Sequence, residues 1–219
     1  MARAIGQTSP SRKDEAGGRQ IRPRRSAEET RCDILTMTER LFRERGFGAV
    51  SIADIAAALS MSPANIFKHF HSKNALVDAI FLQQIRLLEQ KIDLLDASHS
   101  PFERLRHLAR NLMENHRSDL NDNPYIFEMI LMTAKRELAC GRYYENVITT
   151  LLEDIIHGGV EEGIYPQTDA NKAARVALYA FTSILHPALI AHEELDILAT
   201  RCEELAEFVD AALRYRIAK

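Results

Sequence analysis

The chain has 219 residues, 46% of them hydrophobic, and a formal net charge of −3. That is enough for one good core or two small ones. No apolar run approaches the roughly 18 residues of a membrane span, and the N-terminus lacks the apolar stretch of a secretory signal, so a cytoplasmic protein is expected.

The small net charge hides an asymmetry. Residues 1–73 hold 13 Lys or Arg and 8 Asp or Glu, a net of +5, and the remainder holds 15 and 23, a net of −8. A basic end suits a polyanion, which the acidic remainder would repel. Residues 1–25 carry Pro10, Gly17, Gly18 and Pro23 among many charges and show no periodic apolar face, so they read as a disordered basic arm. Arg22, Arg24 and Arg25 lie just before the first helix and read either as an arm reaching a minor groove or phosphates or as part of a solvated tail.

The first helix should start at Ser26, with Glu29 completing a capping box, and end at Gly46. Ile34, Leu35, Leu41 and Phe42 give it a core face, and Phe47 packs under the domain. Ser51 followed by Asp54 marks a second helix start, and Ile52, Ile55, Ala56 and Leu59 recur at helical spacing. Ser60, Met61 and Ser62 break that pattern. Ser62 then caps a third helix with Pro63 at its first position, where a missing N–H costs nothing. Ile66 and Phe70 point back at the second helix, while Ala64, Asn65, Phe67, Lys68 and His69 form the opposite face. Two short helices joined by a tight turn, the second with one small, polar and basic face, suit docking against base edges and phosphates in a major groove. Asn65 is placed to pair with an adenine edge, His69 with a phosphate or base edge, and Lys68 with phosphate.

A fourth helix should open at Ser72 and run through Ile80, Ile85 and Leu88 to near Leu95. Beyond it the chain reads as helices only. Ser100, Pro101 and Glu103 open one to about Ser118, and Asn123 with Pro124 opens another to about Ala139. A longer one spans about Arg142 to Gly158 or Gly163. Thr168 or Asp169 opens the next, in which Pro187 after His186 should introduce a kink. The last runs from about Glu194 to Arg216. Leu198, Cys202, Leu205, Val209 and Ala212 form a stripe that needs a partner, and Val176, Ala177, Ala180 and Ile184 offer small residues for close approach. Both stripes read as a homodimer interface, with intramolecular core as the competing reading. Met113, His116, Tyr125, Met129, Met132, Tyr144, Phe181 and His186 are candidates for an adaptable apolar pocket, with plain core as their alternative.

Other chemistry finds little support. Cys32, Cys140 and Cys202 are odd in number with no C-x-x-C, which fits reduced thiols. The spacing of His186, His192 and Glu193 does not bring the two histidines onto one helix face, so no metal and no cofactor are expected. There is no G-x-S-x-G, no phosphate loop and no H-E-x-x-H, so no enzyme is expected.

The motifs ILTMTERLFRERGF, SIADIAAALSMSPANIFKHF and SKNAL, in that order from about Ser26 to Leu82, resemble the N-terminal domain of the tetracycline-repressor (TetR-like) transcriptional regulators. The resemblance implies an all-α fold, with a three-helix helix-turn-helix DNA-binding domain at residues 26–72 and a helical regulatory and dimerisation domain at 73–219. It also implies a phosphate contact by Lys73 and a four-helix bundle of the last two helices with their symmetry mates. Members usually carry tyrosine at the position of Phe67, so a hydroxyl-to-phosphate contact is lost here. The function so implied is a repressor released from palindromic double-stranded DNA by a small apolar or amphipathic inducer. A DNA-binding regulator controlled by a protein partner and a helical interaction module that does not bind DNA remain the alternatives.

Overall fold

The computed structural model describes residues 26–133 and 139–215, and among them it contains helices and no strand. Serine caps set the first half. Helix α1 (Ala27–Arg45) starts on Ser26 with Glu29 in a reciprocal capping box, and α2 (Ile52–Ala58) starts on Ser51 with Asp54 in another. Ser62 and Pro63 open α3 (Pro63–His69), and Ser72 opens α4 (Lys73–Lys91). Each side-chain oxygen accepts a backbone N–H that the first helical turn leaves unpaired.

The α2–α3 turn is a Schellman motif with an unusual residue at its centre. Met61 N–H donates to the Ala56 carbonyl at 2.8 Å, Ser60 N–H donates to that of Ala57 at 3.0 Å, and Ser60 sits at φ 54°. That left-handed position normally holds glycine, since a Cβ there crowds the following carbonyl. Ser60→Gly is therefore expected to raise stability by about 1 kcal/mol in chemical unfolding, without altering the turn. No gain would mean that the serine hydroxyl contributes something its surroundings do not show.

Helix α5 (Pro101–Asp122) follows, then α6 (Pro124–Thr133), α7 (Ala139–Glu161), α8 (Ala170–Leu185), the single turn α9 (Pro187–Ile190) and α10 (Leu195–Tyr215). Helix α5 outruns the expected end near Ser118, because nothing stops it before Asn123 and Pro124. Helix α4 stops at Lys91, short of Leu95. Pro187 breaks the chain rather than kinking it. Helix α8 closes at Leu185, and His186 caps α9 by accepting Ala188 N–H on Nδ1 at 3.2 Å.

Two apolar cores result. The first gathers Ile34 and Phe42 of α1, Ile55 of α2, Ile66 of α3 and Phe70, then Leu76, Val77 and Ile80 of α4 and Tyr125, Ile126 and Met129 of α6. Its packing therefore continues past residue 72 into α4 and α6. The second core unites α5, α7, α8 and α10 around Leu105, Ile148, Phe181 and Cys202, and Leu88 of α4 joins it. Helix α4 is thus buried in both cores and mechanically joins them.

Candidate nucleic-acid interface

Helix α3 is held from one side only. Ile66 and Phe70 are buried in the first core. Arg31 of α1 donates to the carbonyl of His69 at 2.9 Å, and its guanidinium lies 4.0 Å from the Phe70 ring centre. That contact spans 38 residues and has no local signal in the sequence. The outward side carries Ser62, Pro63, Ala64, Phe67 and Lys68, all exposed, with Asn65 and His69 half-buried at its edges. Phe67 is 49% exposed, a large apolar ring presented to solvent on an otherwise polar and basic face. A ring with no hydroxyl there suits packing on a thymine methyl or a sugar.

Two expected contacts, Lys73 and Ser51, are placed differently. Lys73 turns inward: its Nζ donates to the Phe47 carbonyl at 2.8 Å and sits 4.1 Å from the Phe47 ring centre. Burial pushes its pKa down, only partly opposed by Asp54. Lys73 thus pins the α1–α2 turn instead of extending toward a phosphate, because an electron-rich ring and a free carbonyl lie within reach. The hydroxyl of Ser51 is committed to its capping box, accepting Asp54 N–H at 3.2 Å and bonding to the Asp54 carboxylate. Arg22, Arg24 and Arg25 lie outside the described residues.

Helix α6, whose Tyr125, Ile126 and Met129 pack in the first core, reaches the same turn. Phe47 N–H donates to Glu128 Oε2 at 2.7 Å, and Arg43 of α1 donates to Asn123 Oδ1 at 2.7 Å. Gly46, at φ 79°, lets the Glu128 carboxylate approach, since a Cβ there would lie 3.1 Å from Oε2. Glu128→Ala is expected to lower stability by about 1–2 kcal/mol, as a half-buried N–H loses a charged acceptor. Amide exchange at Phe47 should quicken by about tenfold, with Glu128→Gln recovering most of the protection. Unchanged exchange would remove Glu128 as a link between α6 and the head.

Between α4, α5, α7 and α8 lies a cavity of about 470 Å³. His116, Tyr144 and His186 line it. Met113, Phe181, Tyr125 and Met129 do not. Met113 and Phe181 are buried in the second core, and Tyr125 and Met129 in the first, because each sits on the face its helix packs inward. The side chain of Met132 is outside the described set. His116 Nε2 and the Tyr144 hydroxyl are hydrogen-bonded at 2.8 Å. Burial pushes the His116 pKa down to about 4, so the ring is neutral at pH 7.

Half of the expected dimer face is internal core. Ile184, Leu198, Cys202 and Val209 are buried within the protomer, where α10 packs on α5 and α8. A stripe at helical spacing serves an internal core as readily as a partner, and here the core takes it. The rest of the expected face stays open: Val176 is exposed and Ala180, Leu205 and Ala212 are half-buried, beside the exposed Tyr179 (63%) and Phe208 (62%).

A clamped short helix with one free basic face, following a capped helix and a tight turn, defines a helix-turn-helix DNA-binding module. Residues 34–80 match the model of bacterial regulatory proteins of the tetR family, and residues 101–206 match the tetracyclin repressor-like C-terminal domain. The chain belongs to the TetR family, whose members are transcriptional regulators and not enzymes. The regulator UidR of Escherichia coli is 36% identical over 74 residues, covering 33% of this chain and 38% of UidR, so the match spans well under half of that relative. The repressor KstR2 of Mycobacterium tuberculosis is 24% identical over 156 residues, 66% of this chain and 74% of KstR2. Among solved structures, the flavonoid-responsive regulator FrrA superposes with a TM-score of 0.65 at 19% identity, covering 86% of this chain and 99% of that one. The Thermus thermophilus repressor FadR, solved with lauroyl-CoA, has a TM-score of 0.62 at 23% identity, with 82% and 92% covered.

Proposed function

We propose that a homodimer of this chain represses transcription from a palindromic operator and is released by a small molecule bound in the cavity of the second core. The observation that carries DNA reading is the one-sided clamping of α3, which leaves Ala64, Asn65, Phe67 and Lys68 free as a rigid edge. The net of +5 over residues 1–73 supports a polyanion partner on that side. Two copies meeting through Val176, Ala180, Phe208 and Ala212 would cover the exposed face of α8 and α10 and present two α3 helices to half-sites about one helical turn apart. The name of KstR2 as a repressor favours repression.

Release follows from shared elements. Phe81, Ile85 and Leu88 of α4 line the cavity, while Leu76, Val77 and Ile80 of the same helix are packed in the head. Ile126 of α6 belongs to both, two residues from Glu128. A ligand that spreads α4 from α6 alters the head only as far as it binds the two arrangements unequally, and a ~100-fold loss of DNA affinity needs about 2.7 kcal/mol of such difference.

The test is selection of DNA from a random pool by the purified protein, followed by titration of the selected fragment at several salt concentrations. A palindrome bound by two protomers, with affinity falling steeply as salt rises, is expected. Binding of one protomer to a non-repeating site, or none even at low salt, would end this reading.

A further inference from the structure

We propose that the cavity takes an uncharged amphipathic molecule, an apolar body whose hydroxyl is received by the His116–Tyr144 pair, and that it turns carboxylate ligands away. The proposal rests on the cavity being the effector site. Most of its wall is apolar, with Ile85, Leu88, Leu120 and Leu185 contributing. Among the described residues, the polar couple bonded across it is His116 Nε2 with the Tyr144 hydroxyl, at 2.8 Å. A neutral imidazole and a phenol share one proton between them. Whichever way that proton points, the Tyr144 oxygen keeps one capacity for a ligand: a free O–H when Nε2 donates, or a lone pair when the phenol donates. A ligand hydroxyl answers either state, because it both donates and accepts. Burial holds His116 neutral, so the pair supplies no positive charge at pH 7.

Two acids elsewhere in the wall oppose anions. Asp119 and Glu145 both line the cavity. Asp119 is already paired with Lys91 at 2.7 Å, and Glu145 has no cationic partner among the described residues. A carboxylate entering here would lose its hydration without a described lining cation and would face two carboxylates. A cation would find Asp119 taken and only Glu145 open.

The experiment titrates the full-length protein calorimetrically with three probes of one shape: para-hexylphenol, para-hexylbenzoate and para-hexylbenzylammonium. The phenol should bind at least tenfold more tightly than the benzoate and no more weakly than the ammonium. Tyr144→Phe should weaken the phenol about fivefold and leave the benzoate unchanged. Gly141→Phe puts a ring at a lining position where an added Cβ meets nothing within 4 Å, so the fold should survive. That variant should lose the phenol while keeping DNA affinity. The proposal is overturned if the benzoate equals the phenol, if the ammonium binds tenfold more tightly and loses this in Glu145→Gln, if Gly141→Phe still binds the phenol, or if no probe binds. None of these results touches operator recognition, and release by some other compound that Gly141→Phe blocks would keep the effector site while removing this ligand class.

Discussion

Gly159→Ala is expected to cost about 3 kcal/mol, at the upper end for overpacking a core. The added Cβ would lie 2.3 Å from Cδ2 and 2.5 Å from Cε2 of Tyr165, and 3.1 Å from Cγ of Pro101. Real carbon atoms do not approach so closely, so the ring or the helix must move. The ring has nowhere to go. Tyr165 is 2% exposed, and its hydroxyl donates to Asp210 Oδ1 at 2.8 Å, tying the end of α7 to α10. Alanine's better helix propensity, about 1 kcal/mol over glycine, offsets part of the strain. Gly141 on the same helix is the internal control, because nothing lies within 4 Å of its added Cβ. Gly141→Ala should be neutral or stabilising. Denaturant midpoints of the two variants check this, and equal midpoints would mean that α7 and α10 are not packed through Tyr165.

On DNA, Asn65→Ala and Lys68→Ala should each weaken binding to the selected operator by about 1–3 kcal/mol per protomer, yet differ in kind. Lys68 is exposed at the C-terminal end of α3, and on the proposed docking its loss removes a phosphate contact. Affinity should fall for all sequences alike, and the salt slope should shrink by about two for a dimer. Asn65 is half-buried at the start of the helix, the end that meets base edges in helix-turn-helix docking. Its loss should leave the salt slope intact and relax preference at one base pair per half-site. Anisotropy titrations at several salt concentrations, on the operator and on an unrelated duplex, separate the two. If both variants bind like the parent, α3 is not the reading helix.

The helical order and the caps were legible because they are local. A serine followed three residues later by an acid, or by proline at the next position, carries its own partner within one turn, as at Ser26, Ser51, Ser62 and Ser100. The outward face of α3 was legible for the same reason, since a seven-residue helix with Ile66 turned inward has few other faces. What was not legible lies across long separations. Arg31 on His69, Lys73 on Phe47 and Glu128 on Phe47 depend on how helices cross, and nothing at those positions marks them. Helical periodicity finds a buried face without naming what buries it. That is why Leu198, Cys202 and Val209 suited a partner subunit and proved to be core, while Phe208 beside them stays exposed. The aromatic and methionine candidates fail alike: Met113 and Phe181 are apolar and central, but the cavity opens on the neighbouring faces of their helices.

Phe67 offers the most direct probe of the edge that should read DNA, because its ring stands free on α3 and supports no core. A photo-crosslinking phenylalanine analogue at that position, irradiated on the selected operator, should attach to bases exposed in the major groove. It should do so once in each half-site, at points about one helical turn apart. Full binding with no crosslink to DNA, or crosslinks confined to one half-site of a bound dimer, would contradict an α3 that enters the groove.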